Sequence, residues 1–286
     1  MIVALCSLKG SPGATTVAVA VAAGWPSGGH PVVVECDPAG GDLLARFRLD
    51  LKPGLVTLAA AARRTAGDPG LIWQHTQRLP GGGLPVVPGP LSAEQARAAL
   101  AELTGEPGLL VQAAARPDVA VIVDCGRIGA DAAALALIRA ADVMLLVTGT
   151  SDDSLAHLAV ALPAVSRLSA RPRLVLVGEG YATEEIVQAL EIERLGVRVT
   201  GRMPYDPAGA APLTGRPSPR SAPSRSRLGQ AAAALAVRTA QDALITPPAH
   251  LAGRFAGVPA PAGPDAPGPR PVQRQAPTPS IDGRMP

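Results

Sequence analysis

The chain has 286 residues and a net charge of +3, and aromatic side chains make up only 2% of it. So few rings largely exclude a site that stacks bases or sugars on aromatic faces, and they leave the core to Ala, Val and Leu packing. Three cysteines with no Cys-x-x-Cys pair exclude a disulfide framework.

Along the chain, Ile2 to Cys6 reads as a short buried strand, followed by a loop freed by Gly10 and Gly13, and Thr15-Thr16 open an apolar helix running to about Trp25. Of 26 cationic residues only Lys9 and Lys52 are lysines. A lysine kept where a strand turns into a glycine loop points to work for a compact ammonium, which fits between phosphate oxygens where a planar guanidinium is too wide. Backbone N–H groups of such a turn face inward on an anion, with the positive end of the helix dipole behind them. A second buried strand, Pro31 to Asp42, ends in acids, and a third, Val119 to Gly126, carries Asp124 at its end. A fourth, Ala141 to Thr148, precedes Ser151-Asp-Asp-Ser154; Arg173 to Val177 is a fifth; Gly196 to Asp206 ends in Met203-Pro-Tyr-Asp206. Ala-rich stretches such as Asp131 to Ala141 and Gln230 to Ile245 are the covering helices.

Unbroken strand–helix alternation predicts one α/β domain over residues 1–246, a doubly wound, mostly parallel sheet with helices on both faces. Strand Ile2–Cys6 is expected at the centre beside Val119–Asp124, which puts Lys9, Asp37 and Asp124 at the carboxyl edge, where ligand crevices of open α/β sheets lie. Residues 247–286 are rich in proline and lack apolar periodicity, so this tail is expected to be disordered and unable to form a membrane-targeting helix. Its Pro261, Pro264 and Pro267 give two overlapping Pro-x-x-Pro spacings, a docking pattern that compositional bias also explains.

The loop Lys9-Gly-Ser-Pro-Gly-Ala-Thr-Thr16 departs from the plain phosphate-loop pattern G-x-x-x-x-G-K-[ST]: aligned on Gly13 and Thr15, Leu8 replaces the first glycine and Ala14 the lysine. It resembles instead the deviant loop K-G-G-x-G-K-[ST]-T of the MinD/ParA family of ATPases. The likeness extends over about residues 1–245. Pro31 to Asp42 resembles the D-x-D-P switch segment, Val119 to Gly126 the Walker B strand, and Met203 to Asp206 the G-x-I-P-x-D turn near the base.

This resemblance implies a P-loop NTPase-like fold, ATP/ADP and Mg²⁺ as cofactors, and a nucleotide-dependent sandwich homodimer. In that reading Lys9, Gly10, Ser11, Pro12, Gly13, Ala14, Thr15 and Thr16 form the phosphate cradle, and Lys9 reaches the partner's nucleotide. Thr15, Asp37 and Asp124 hold the metal, Asp37 and Asp124 serve the attacking water, and backbone groups around Met203, Pro204 and Asp206 meet the base. The departures also have consequences. A charge-assisted hydrogen bond is worth about 1.5–3 kcal/mol, so Ala14 costs roughly 10- to 150-fold in affinity, offset only if Lys9 folds back in cis or arrives from the other subunit. Gly178 follows Val177 where relatives carry an adenine-reading Asn, and Glu35 stands where an Asp is common, with a longer reach.

The functional expectation is an ATP-dependent dimerising switch that positions a cargo or assembly, with slow or impaired hydrolysis. Two alternatives stand beside it: a nucleotide-independent scaffold of a pilus or secretion system, like the TadZ/CpaE-type members, and a DNA-partitioning protein. Clustered arginines in Arg216–Arg227 offer contact to non-specific DNA, acidic lipid or an acidic partner, against the plainer reading of a solvated connector. The chain has no basic segment before its first apolar run, and Val17 to Trp25 is too short to span a membrane, so a cytoplasmic location is expected, with recruitment to a membrane complex or the nucleoid left open. Cys6, Cys36 and Cys125 fall near the ends of three core strands as buried small hydrophobes, a metal site being the alternative. His30, His75, His157 and His250 form no evident ligand or catalytic set.

Overall fold

A strand covered on both faces has no polar side to show, and β1 (Ile2–Ser7) is buried at every residue. Its side chains alternate, with Ile2, Ala4 and Cys6 entering one core cluster and Val3 and Leu5 the other. The same period sorts Val32, Val34 and Cys36 from Val33, and Val121, Val123 and Cys125 from Ala120 and Ile122.

The computed structural model describes residues 1–9, 12–65, 68–81, 83–104, 108–129, 132–217 and 223–244. Among these residues the further strands are β2 (His30–Glu35), β3 (Gln77–Arg78), β4 (Pro85–Val87), β5 (Val119–Arg127), β6 (Val143–Gly149), β7 (Pro172–Val177) and β8 (Arg198–Met203). They form one sheet of 8 strands in the order β3-β4-β2-β5-β1-β6-β7-β8. Only the β3–β4 pair is antiparallel. The expected sheet is therefore present: β1 lies between β5 and β6, with Leu5 in register with Asp124, which is also level with Glu35 of β2. The sequence reading did not contain β3 and β4, which at two and three residues are too short to show a period.

One face is covered by α1 (Ala14–Ala23), α2 (Leu43–Phe47) and the last helix, α11 (Arg227–Leu244). On the other lie α3 (Leu55–Arg64), α4 (Leu71–Gln74), α5 (Ala93–Leu103), α6 (Leu109–Ala114), α7 (Ala132–Ala140), α8 (Asp152–Val165) and α9 (Thr183–Ala189). The short α10 (Pro207–Ala210) follows β8. Small residues let α1 and α11 meet closely: a Cβ at Gly24 would come within 2.9 Å of the Ala233 backbone. Among the described residues no helix is long and apolar enough to cross a membrane. The proline-rich tail, residues 247–286, lies outside the described residues.

Candidate functional site

The chain leaves β1 through Leu8, which packs against the core where a phosphate loop has its first glycine. Gly10 and Ser11 lie outside the described residues. Pro12 and Gly13 are half-buried, and Gly13, at φ 90°, accepts from the Val17 N–H as the chain enters α1. No side chain caps α1 and no acid sits in its first turn, so its leading N–H groups and dipole are left to face an anion. Ala14 is buried in the apolar core and brings no charge, while Thr15 and Thr16 stand half-exposed in the same turn.

Asp124 lies opposite them, fully buried at the end of β5. Its Oδ1 accepts from the Gly126 N–H at 3.1 Å, and its Oδ2 is buried with no hydrogen-bond partner. Burial pushes the carboxyl up to about 6; the Thr15 hydroxyl and the Gly126 N–H pull it down, and the Asp37 charge raises it further. Thr15 is thus close enough to favour the anion, yet no bond of good geometry reaches Oδ2. A desolvated carboxylate oxygen without a donor, facing a threonine hydroxyl, suits a small hard cation. Asp37 completes the group. It is half-buried, accepts from the Ala39 N–H at 2.7 Å, and is raised in pKa chiefly by burial. Its carboxylate occupies the space a Cβ at Gly126 would need, and Gly126, at φ 60°, has none. The structure therefore brings Thr15, Asp37 and Asp124 together. Among the described residues no three His, Cys, Asp or Glu side chains converge, so a metal here would rely on one hydroxyl, phosphate oxygens and water besides the two acids.

Lys9 reaches the same edge but turns away from that group. Its exposed Nζ lies 2.5 Å from His157 Nε2 on α8, on the β6 side of β1, whereas the acids sit on the β2–β5 side. In this pair the imidazole nitrogen accepts from the ammonium, since two cationic donors cannot bond each other. The two residues are 148 positions apart, and nothing in the sequence pairs them.

Glu35 is a structural clamp. It is 1% exposed, and its Oε1 accepts from the N–H groups of Asp42 at 2.6 Å and Leu43 at 3.0 Å, while Oε2 accepts from Gly89 at 2.9 Å. Desolvation outweighs these bonds and, helped by the Asp124 charge, pushes the carboxyl up to about 7. A Cβ at Gly41 would run into this carboxylate, so glycine is needed there. The clamp fixes the start of α2, on which Arg46 pairs with Asp42 at 2.5 Å and donates from Nη1 to Thr16 Oγ1 at 3.3 Å.

On the far side of the edge a cavity of about 400 Å³ is lined by Gly178, Glu179, Arg202, Pro204, Arg227 and Gln230, with Ala231 behind. Of the three residues expected near a base, Pro204 lines it and the other two build its surroundings. Met203 is buried and its carbonyl accepts from the Gly178 N–H at 2.9 Å; the Asp206 carboxylate caps α10 through Gly209 at 2.9 Å and accepts from Leu228 N–H of α11 at 3.4 Å. From the arginine-rich stretch, Arg216 and Arg225 are exposed and Arg227 reaches Glu179 at 3.5 Å; Arg220 lies outside the described residues. Cys6, Cys36 and Cys125 are free, fully buried thiols, their pKa values raised above all by desolvation.

A glycine-turn helix N-terminus after the central strand, faced by acids at the carboxyl ends of its neighbours, is the layout of a P-loop NTPase. More narrowly, the fold is that of the MinD and ParA ATPases. A ParA-family ATPase from Chlorobium tepidum superposes with a TM-score of 0.64 at 21% identity, covering 82% of this chain and 98% of its own. The cell-division ATPase MinD of Pyrococcus furiosus gives 0.62 at 21% identity over 84% and 98%. MinD of Pyrococcus horikoshii, solved with Mg-ADP, gives 0.58 at 19% identity over 90% and 99%. No protein-family profile matches the sequence, and no curated protein does.

Proposed function

We propose that this chain is a nucleotide-driven dimerising switch of the MinD/ParA kind, which binds ATP with Mg²⁺, hydrolyses it slowly and positions a cellular cargo or assembly. The observation that carries this reading is the buried, unpartnered Asp124 Oδ2 set against Thr15 at the uncapped start of α1. The Mg-ADP complex of the horikoshii MinD supports the same ligand class for this fold. In this account the first-turn N–H groups of α1 hold phosphate oxygens. Thr15, Asp124 and Asp37 are the residues to hold Mg²⁺, which when bound neutralises charge developing on the phosphates. Asp37 and Asp124 orient water at the γ-phosphate. Lys9, exposed at the edge, is the group offered to the partner subunit's nucleotide. Each site is then incomplete until two copies meet, so hydrolysis rises steeply with protein concentration. The fold ending near residue 246 and a cytoplasmic location belong to the same proposal.

A second reading is favoured by one observation: Ala14 is buried in apolar packing, with no ammonium in its place. On that reading the chain is a scaffold of the pilus-assembly type that needs no nucleotide, and a protein partner of unidentified kind does the positioning. Titrating ATP with and without Mg²⁺ while following molar mass separates the two. Dimer formation that requires both supports the switch; a mass indifferent to nucleotide supports the scaffold. The exposed Arg216, Arg225 and Arg227 extend the proposal to DNA or an acidic surface, read as a retardation of DNA that weakens steeply with salt.

A further inference from the structure

The phosphates of a nucleotide bring several negative charges to the start of α1. Ala14 answers none of them, and Lys9 is held against α8. Helix N–H groups alone provide only partial positive charge. The cation that touches the first turn of α1 comes from another element: Arg46 on α2, whose Nη1 donates to Thr16 Oγ1 at 3.3 Å.

We infer that Arg46 is the phosphate-binding cation of this site and supplies, from α2, the charge that Ala14 does not. The inference rests on the nucleotide-binding reading above.

Three features of the structure support it. First, the position of Arg46 is fixed from both sides. Glu35 pins the start of α2 through Asp42 and Leu43, and the Arg46 carbonyl sits where a Cβ at Gly215 would collide with it. Phe47, next in the chain, is buried in the core beside α1. Second, the guanidinium has capacity to spare. It carries five N–H donors, of which one goes to Thr16 and one to Asp42, leaving a planar fork for phosphate oxygens. With the side chain only 27% exposed, much of the desolvation that an ion pair requires has already been met on folding. Third, Arg46 faces an unfilled acid. Its charge acts on Asp124, whose Oδ2 is buried and without a partner. A cation and an unsatisfied carboxylate on either side of one helix N-terminus fit a ligand that is anionic at the phosphates and carries a divalent metal. Nothing on that list requires a lysine at residue 14.

The plainer explanation is an ordinary i,i+4 ion pair with Asp42, which is 59% exposed and contributes little by itself. Binding of a fluorescent ADP with Mg²⁺ to the full chain distinguishes the two, measured beside the melting temperature of each nucleotide-free variant. Arg46→Ala is expected to weaken binding by roughly 10- to 150-fold, the worth of one charge-assisted hydrogen bond. Arg46→Lys is expected to recover part of that loss, because an ammonium keeps the charge but not the fork. Ala14→Lys in the Arg46→Ala background should restore affinity from the other side of the site. Asp42→Asn removes the ion pair and keeps the guanidinium, so it should leave affinity within a few-fold. If Arg46→Ala fails to fold, Arg46→Gln and Arg46→Lys carry the same comparison. Wild-type affinity retained in folded Arg46→Ala or Arg46→Gln overturns the role of Arg46 and leaves the nucleotide reading standing. Failure of the wild type to bind, with binding gained by Ala14→Lys, overturns Arg46 as well. No binding by either protein overturns both.

Discussion

The loop between β1 and α1 and the segment between β2 and α2 face each other across one site, and they are built in opposite ways. The first contributes backbone: a positive-φ glycine, an uncapped helix start and two hydroxyls, with an alanine where its sequence pattern calls for a cation. The second contributes charge: a buried acid that clamps α2, an aspartate against Gly126, and an arginine reaching Thr16. Judged by its phosphate-loop motif alone the site is defective, whereas its three-dimensional surroundings bring a cation to it. Electrostatic completeness belongs to the space around the ligand, and one stretch of sequence need not provide all of it.

The largest expected effect breaks the comparison at its shared acid. Asp124→Asn should abolish Mg²⁺-dependent nucleotide binding and yet stabilise the free protein near pH 8. The folded carboxyl titrates at about 6 against an ordinary 3.8, so the folded state holds a proton that the unfolded state gives up in this window. Stability then falls as pH rises from about 4 to about 6, and removing the charge removes the penalty. The melting temperature at pH 8 should rise, by roughly 2–4 °C for each kcal/mol recovered at this chain length.

Next come the two lysine experiments. Lys9→Ala should abolish nucleotide-dependent dimerisation without destabilising the monomer, since an exposed contact to His157 is all the fold loses. Light scattering at saturating ATP and Mg²⁺ checks this. Ala14→Lys should tighten nucleotide binding by about tenfold through a direct phosphate contact, in exchange for crowding a buried position, and calorimetry reads both.

A smaller effect tests the clamp. Glu35 titrates at about 7 in the fold against an ordinary 4.5, so its contribution is full below about pH 4.5 and is lost as pH rises through 7. Glu35→Gln should flatten the fall of melting temperature over that range while weakening nucleotide binding through a loosened α2. A pH series of thermal melts on both proteins measures the change in slope. The smallest effect is expected outside the described residues: deleting residues 251–286 should leave the melting temperature unchanged, because so little apolar surface is available there to bury.

How much of this was legible in the sequence follows from the range of each signal. Residues such as Val3, Val33 and Ile122 alternate within single strands, so the central sheet could be read locally, and with it the meeting of Asp37 and Asp124 at one edge. Helices α7 and α11 were visible as Ala-rich stretches, although α11 begins at Arg227, ahead of the expected Gln230. The region holding β3, β4 and α3–α6 was not read, since its strands are two and three residues long and α4 and α6 only four and six. Side-chain partnerships were out of reach for a different reason. The extra methylene of Glu35 was noticed, but its partners Asp42, Leu43 and Gly89 become adjacent only when α2 and the chain after β4 fold over it. Arg46 and Thr16 are 30 residues apart, and no period or motif connects an arginine of a five-residue helix to a threonine of another.

The central claim is that this site takes a magnesium nucleotide without a phosphate-loop lysine. The most direct test is calorimetric titration of the full chain with ADP in Mg²⁺, beside the same titration in EDTA and with Asp124→Ala. The account predicts saturable binding in Mg²⁺ that is lost in both controls. Equal heats in all three, or none at millimolar nucleotide, would contradict it.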